Sequence, residues 1–436
     1  MMSFLADLHI HSRYSRAVSK DMVPENLYRW AQLKGIRVVG TGDFTHPGWC
    51  LELQEKLEPA EPGLYRLKPN LATNVDAEIP ESCRGEVRFL LTSEISSIYK
   101  RHGRTRKVHN MIYAPSFTAV ASLNDKLARI GNIRSDGRPI LGLDSEELLR
   151  IMLERAPQSL FVPAHAWTPH FSVFGANSGF DSLEECFGEL TPHIQVIETG
   201  LSSDPPMNWR LSQLDGITLI SNSDAHSPSK LGREANVLNS DLSFESIKHA
   251  LTSGDPEQFL GTIEFFPAEG KYHYDGHRNC QVRLTPEETR MHQGVCPDCG
   301  KLVTVGVLHR TEALSDQPIG YRPAKALPFW SLVPLVELIA EVRGAGVNSK
   351  GVKEAYHQML ASLGPEISIL METPIADIED HGGRLLGLSV QRMREGQATI
   401  DPGYDGEFGK VRMLTSEDRE PPSPAMLKNI QKTKRR

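Results

Sequence analysis

No apolar run in the 436 residues approaches the ~18–20 needed to cross a membrane. The opening residues, Met1-Met2-Ser3-Phe4-Leu5-Ala6-Asp7, carry no basic stretch ahead of an apolar one, so no secretory signal is expected. Cysteine is scarce. Six in a chain of this length cannot form a disulfide framework, and Cys50, Cys83 and Cys186 are scattered. A surplus of positive charge is also missing: 48 basic against 55 acidic residues give −7, which alone argues against a polyanionic partner. That count omits bound divalent ions, each worth about two positive charges. No fixed-period repeat appears, which excludes a solenoid. With 39% hydrophobic and 24% charged residues the chain can bury a core, so a cytoplasmic multidomain protein is expected, with no membrane partner.

What is present is unevenly placed. Residues 84–107 hold seven basic groups (Arg84, Arg88, Lys100, Arg101, Arg104, Arg106, Lys107) against Glu86 and Glu94, and the last eleven residues hold Lys428, Lys432, Lys434, Arg435 and Arg436 with no acid. Such patches are either solvated surface or surfaces that follow a phosphate backbone. Apolar runs at 4–11, 36–42, 87–93, 108–113, 160–164, 194–198 and 217–221 read as strands, with helical patterns such as 24–34 and 144–155 between them. Alternating β and α implies parallel strands with crossover helices, and polar residues at the strand ends favour a barrel. The composition shifts near Phe265-Phe266-Pro267. Four spans are expected: an α/β barrel over 1–262, a metal-binding ribbon over 263–314, a mainly helical region over 315–414, and a basic disordered tail over 415–436.

The barrel's chemistry is legible in its strand ends. His9 and His11 lie two apart in an extended run, so both imidazoles face one side. Later runs end or begin with Asp43 and His46, Glu94, His109, His165, and Asp224-Ala225-His226. Six histidines and three acids at successive strand ends converge on the C-terminal mouth of a barrel. Carboxylates crowded there repel unless cations neutralise them. His and carboxylate ligands suit zinc, manganese or iron, and the metal stays open.

These motifs resemble those of the PHP (polymerase and histidinol phosphatase) domain. The resemblance implies a distorted (βα)7 barrel with three divalent metals (Zn, Mn or Mg undistinguished) that hydrolyses phosphoesters. It places His9, His11, Glu94 and Asp224 on one metal, Glu94 bridging to a second held by His109 and His165, and His46 and His226 on the third. Glu94, Asp224 and Asp43 become the catalytic acids, with Asp43 open between ligand, supporting acid and base. Two departures stand out: Arg13-Tyr14-Ser15-Arg16 lacks the family's further histidine, and Phe44-Thr45 separates Asp43 from His46.

His277-Arg278-Asn279-Cys280, fifteen residues, then Cys296-Pro297-Asp298-Cys299 form two chelating knuckles of a zinc ribbon. Its fourth ligand is His277 by spacing, with His273, His292 and His309 nearby. A closed site of this kind is structural. Barrel, ribbon, Gly306-Val307-Leu308-His309-Arg310 and helical region together resemble the endonuclease Q family. That implies cleavage of double-stranded DNA 5′ to uracil, hypoxanthine, xanthine or an abasic site, leaving 3′-hydroxyl and 5′-phosphate ends. Lys100, Arg101, Arg104, Arg106 and Lys107 become phosphate contacts, and Trp167, Phe171, Ser172, Phe174 and Asn177 a pocket for the extruded base. A replication or repair protein is a candidate partner for the tail. The alternatives are a small-molecule phosphoesterase of the histidinol-phosphatase kind and a catalytically silent PHP DNA-binding protein.

Overall fold

The computed structural model describes residues 3–419. All seven apolar runs contain strands: β1 (Phe4–Asp7), β2 (Ile36–Gly40), β3 (Arg88–Arg101), β4 (Arg104–Ala114), β5 (Leu160–Pro163), β6 (Val196–Glu198) and β7 (Thr218–Ile220). Ladders join β1 to β2, β3, β4 and β5 in that order, and β6 to β7. Two seams complete the ring without a regular ladder. At one, Ala166 N donates to the Glu198 carbonyl (2.9 Å); at the other, His11 N donates to the Ala225 carbonyl (3.1 Å). Ala6, Leu8, Val38, Leu90, Met111, Val162, Val196 and Ile220 are buried in one cluster, so every strand of the ring contributes to a common interior. The result is a distorted seven-stranded barrel whose strand ends meet at one rim.

The helix Pro24–Lys34 has proline at its start, Glu25 in its first turn, Lys34 in its last, and Gly35 at φ 85° as its stop. The helix Ser145–Arg155 is capped by Asp144, which accepts from Glu146 N at 2.9 Å. Strand direction departs from the expectation of parallel pairs throughout. β1, β2 and β3 run parallel, but β3, β4 and β5 run antiparallel. The reason is the length of the connection. Only His102 (φ 51°) and Gly103 (φ 72°) separate β3 from β4, a two-residue hairpin turn, whereas a parallel return needs a crossover of about a dozen residues. The basic stretch 100–107 is therefore the far end of a long hairpin.

Strands β8 (Ala235–Leu238), β9 (Phe259–Glu264) and β10 (Phe329–Ser331) extend the sheet beyond β1. β10 ties residues expected in the helical region to the barrel. The hairpin of Thr399–Asp401 and Lys410–Arg412 lies against the cysteine-rich segment instead, through a Tyr274–Tyr404 bridge and the Arg283–Asp401 ion pair. Between them lie the helices Leu335–Arg343, Lys350–Leu363, Glu366–Met371, Ile375–Gly382 and Arg384–Arg394. Residues 415–419 dock on them through Asp418 and Arg392 (2.6 Å), so the proposed tail begins later than 415. The basic residues from Lys428 to Arg436 lie outside the described residues.

A buried ion pair fastens the helical region to the barrel. Lys34 Nζ lies 2.6 Å from Glu366 Oε2, with both side chains under 5% exposed. Glu366 also accepts from Tyr356 Oη (2.6 Å) and Leu335 N (3.1 Å). Removing one partner strands the other charge in the interior. Lys34→Met should cost about 3 kcal/mol in urea denaturation, on the order expected for a broken buried pair, and a Lys34→Met/Glu366→Gln double variant should recover most of it.

Candidate metal centre

Past β1 the chain stays extended, and alternation sends Leu8 and Ile10 into apolar clusters and His9 and His11 to the opposite side. Two groups of ligand atoms gather at the rim, each within 4.8 Å: His9, His11 and Asp224, and Glu94, His109 and His165. Glu94 Oε1 lies 2.7 Å from His109 Nδ1 and 2.9 Å from His165 Nε2. Its other oxygen reaches the first group, 3.3 Å from His11 Nε2. Asp224 Oδ1 is 3.0 Å from His11 Nε2 and 3.6 Å from His9 Nε2. Donor atoms about 3 Å apart fit around an ion with bonds near 2.0–2.2 Å. His9 Nε2 is buried without a hydrogen-bond partner, as a nitrogen aimed at a cation would be.

Two carboxylates fix the ring orientations. Glu198 lies 2.9 Å from His9 Nδ1 and Asp43 lies 3.2 Å from His11 Nδ1, so both histidines turn Nε2 to the centre. Asp43 Oδ2 also accepts from Ser12 N, Ser12 Oγ and Ser15 Oγ at 2.7–2.8 Å. Both Asp43 oxygens are thus engaged, Oδ1 with His11 and Oδ2 with three donors, an arrangement that orients His11.

The charges interlock. Burial disfavours imidazolium at His9, but Glu198 and Glu94 outweigh it and hold the pKa well above the ordinary histidine range. His11 is held up likewise, burial being outweighed by Asp224 and Asp43. Burial would raise the Glu94 pKa, yet His109 and Arg138 hold it well below the ordinary range. His109 itself is pushed down to about 4 by burial, against the pull of Glu94.

The structure separates the other candidate residues. His226 lies beside the first group, its ring 4.7 Å from His11, with Nδ1 2.8 Å from the Asp224 carbonyl. His46 does not join: Nδ1 faces Trp49 N (3.4 Å) as a helix cap, and Nε2 faces the Arg134 carbonyl (3.0 Å). Trp167 and Phe174 are buried, packed on each other at 4.9 Å with Trp167 Nε1 bonded to Asn208, so they do not form an open stacking wall. Ser172 is buried too, its hydroxyl spent on the Thr168 carbonyl (2.5 Å). Phe171 is half-buried at the rim, 4.7 Å from His109 with Lys107 Nζ 5.3 Å from its ring centre, and Asn177 is exposed and bonded to His170 (3.0 Å). Lys100 and Arg104 are exposed at the hairpin tip. Arg101 is instead paired with Asp144 and Glu146, and Arg106 is buried over Phe180 with a bond to the Gly179 carbonyl. These two guanidiniums hold the hairpin to its own barrel and are not available to a phosphate.

Sequence reasoning missed Glu198 and Arg138. Glu198 ends a recognised strand run, and the rule that singled out Glu94 and Asp224 applied to it equally. Arg138, whose Nη1 lies 3.0 Å from Glu94 Oε2, comes from an irregular segment with no periodic signal. In the second metal-type cluster, ligand atoms of His277, Cys280, Cys296 and Cys299 lie within 4.8 Å of one another, with Cys299 Sγ 3.5 Å from His277 Nδ1. His273 and His309 are not in that group.

Residues 334–397 match the family model described as the MJ0043 C-terminal domain. The chain is 31% identical over 255 residues to the uncharacterized protein MJ0043 of Methanocaldococcus jannaschii, covering 57% of this chain and 31% of that protein. It is 28% identical over 430 residues to the uncharacterized protein YqxK of Bacillus subtilis, covering 94% of this chain and all of YqxK. The crystal structure of the lesion-specific endonuclease PfuEndoQ of Pyrococcus furiosus superimposes with a TM-score of 0.83 at 32% identity, over 96% of this chain and 98% of that one. The chain belongs to the endonuclease Q family. An endonuclease Q complex with a 27-mer duplex bearing an abasic lesion at the active site superimposes equally well, with a TM-score of 0.82 over 98% of this chain. The endonuclease Q match thus spans the barrel, the cysteine-rich segment and the helical region together.

Two outcomes follow from the buried acids. Glu198→Gln cannot hold His9 as a carboxylate does, and manganese titration by calorimetry should show affinity weakened 10- to 100-fold. Behind the centre, Glu264 is pushed up to about 8 by burial and by Asp204, and Glu234 is raised by burial and by Glu264. An acid whose folded pKa exceeds its unfolded value of about 4.3 binds more protons when folded, so its contribution is full at low pH and lost as pH rises toward 8. Urea midpoints of Glu264→Gln should therefore gain on the wild type between pH 5 and 8.

Proposed function

We propose that this chain is a metal-dependent DNA repair endonuclease that cuts duplex DNA 5′ to deaminated bases or abasic sites. The observation that carries the reading is the pair of ligand groups at the barrel mouth, with Glu94 of one lying 3.3 Å from His11 of the other, in a chain that matches over 96% of its length an endonuclease described as lesion-specific. His9, His11 and Asp224 would hold one ion, and His109 and His165 a second, with Glu94 between them. Divalent ions there supply a hydroxide nucleophile near neutral pH and neutralise phosphate oxygens. The chain's own groups do the rest. Glu198 and Asp43 keep the imidazoles oriented, and the buried barrel interior excludes water beneath the reacting phosphate.

The damaged nucleotide must leave the stack to reach this depth. Phe171, on the rim beside His109, is the aromatic face it would meet, and Asn177 with His170 offers polar contacts at the edge. Lys107 beside Phe171, with Lys100 and Arg104 at the hairpin tip, would bind backbone phosphates without reading sequence. The cluster of His277, Cys280, Cys296 and Cys299 has the donors of a structural zinc site that orders its segment. A silent DNA-binding protein would have no need of two intact ligand groups, and a small phosphate monoester no need of the appended regions.

Labelled duplexes with one uracil, one hypoxanthine, one abasic site or no lesion, incubated with Mn²⁺, Mg²⁺ or Zn²⁺, test the reading. The expected result is one cut 5′ to the lesion, absent from the undamaged duplex and lost by at least 10³-fold in Asp224→Ala. Hydrolysis of small phosphate monoesters with no cutting of any duplex would contradict it.

A further inference from the structure

The PHP resemblance implies three ions, the third on His46 and His226. The residues present do not fit a third ion. His46 commits both ring nitrogens elsewhere, to Trp49 N and the Arg134 carbonyl, and packs its ring on Tyr14 at 4.4 Å. His226 has beside it Asp224 Oδ1, 3.6 Å from its Nδ1 and already counted in the first group, which leaves too few donors for a further divalent ion. Beyond the two rim groups and the cysteine cluster, no further ligand group forms among the described residues.

A guanidinium stands at the mouth instead. Residues 131–139 follow the helix Phe117–Ile130 and cross the rim, clamped there by three hydrogen bonds. Gly137 N donates to the Tyr14 carbonyl (3.0 Å), Thr45 Oγ1 donates to the Gly137 carbonyl (3.2 Å), and Arg16 N donates to Asp136 Oδ1 (3.3 Å). At Gly137 a Cβ would sit 2.3 Å from Asp43 Oδ2 and 2.4 Å from Ser15 Oγ, so only glycine lets the chain pass this close. The clamp delivers Arg138 Nη1 to Glu94 Oε2 at 3.0 Å. The Nε and Nη2 donors have no partner among the described residues, on a side chain that is 26% exposed. A planar fork with one arm on the shared carboxylate and the others unspent suits a phosphate oxygen.

We propose that the barrel holds two metal ions and that the Arg138 guanidinium takes the place of a third, by donating to a non-bridging oxygen of the phosphate under attack. The inference rests on the endonuclease reading above. In the hydrolysis, a water-derived oxygen bonds to phosphorus and the P–O3′ bond breaks. The departing 3′ oxygen takes a proton from solvent, leaving a 3′-hydroxyl and a 5′-phosphate. Negative charge on the non-bridging oxygens is opposed by the guanidinium, which stays charged at every working pH.

Elemental analysis of the full chain and steady-state kinetics on an abasic duplex test this together. The expected count is about three ions per chain, two in the barrel and one on the cysteine cluster, unchanged in His46→Ala and in Arg138→Ala. Arg138→Ala should lower kcat by about 10²–10³-fold at nearly constant KM, with part of the loss recovered by Arg138→Lys or by added guanidinium ion. Affinity for inorganic phosphate, measured by calorimetry on the metal-loaded protein, should weaken about tenfold in Arg138→Ala. Four ions per chain with one lost in His46→Ala would overturn the proposal. So would an Arg138→Ala variant that keeps the wild-type affinity for phosphate. Metal count and phosphate affinity need no lesion substrate, so a failure of the endonuclease reading is told apart from a failure of this one.

Discussion

Glu94 is a fully buried carboxylate in the middle of the longest strand, and its charge has to be answered by whatever surrounds it. His109 and His165 lie on one oxygen, His11 and Arg138 on the other. Each comes from a different strand end or rim segment, so satisfying this one charge gathers β1, β4, the end of β5 and the 131–139 segment to a single point. Glu94 belongs to one of the two groups of ligand atoms, and its second oxygen reaches His11 of the other at 3.3 Å. Its supporting carboxylates, Glu198 and Asp43, are each joined to a histidine and to backbone N–H groups. The connecting segments at the rim are thereby tied to one another by hydrogen bonds to these two acids.

The appended regions are coupled to that rim. Arg310, on the helix Val307–Leu314 that follows the cysteine cluster, donates to the carbonyls of Phe174 (3.0 Å) and Phe180 (2.9 Å) and pairs with Asp181. The segment it grips is the one that carries Phe171 to the mouth. A metal that orders the cysteine cluster would in this way also steady the aromatic residue beside His109. The helical region is fastened elsewhere, through the buried Lys34–Glu366 pair on the outer helix of the barrel.

Much of this was legible in the sequence, and the limits have physical causes. All seven ring strands follow from apolar runs, because an interior shared by seven strands demands apolar residues from each. The gathering of His9, His11, Glu94, His109, His165 and Asp224 into two groups of candidate ligand atoms follows from polar residues placed at the ends of those runs. Strand direction did not follow, since periodicity is the same for parallel and antiparallel pairs and only the short connection at His102-Gly103 decides it. Nor did burial. Trp167, Phe174 and Arg106 have the composition of a binding surface, but their contacts with Asn208, with each other and with Phe180 turn them inward. Arg138 was invisible because its position depends on Gly137 lying against Asp43, a contact between residues 94 apart in sequence that no local pattern encodes.

The most direct test of a metal pair sharing Glu94 is anomalous diffraction from crystals of the full chain grown with Mn²⁺, with data collected at the manganese and zinc edges. The account predicts two manganese peaks about 3.5–4 Å apart at the barrel mouth, with Glu94 between them, and a separate zinc peak among His277, Cys280, Cys296 and Cys299. A mouth without metal peaks, in crystals where the cysteine cluster holds zinc and Glu94 is contacted only by its histidines and Arg138, would contradict it.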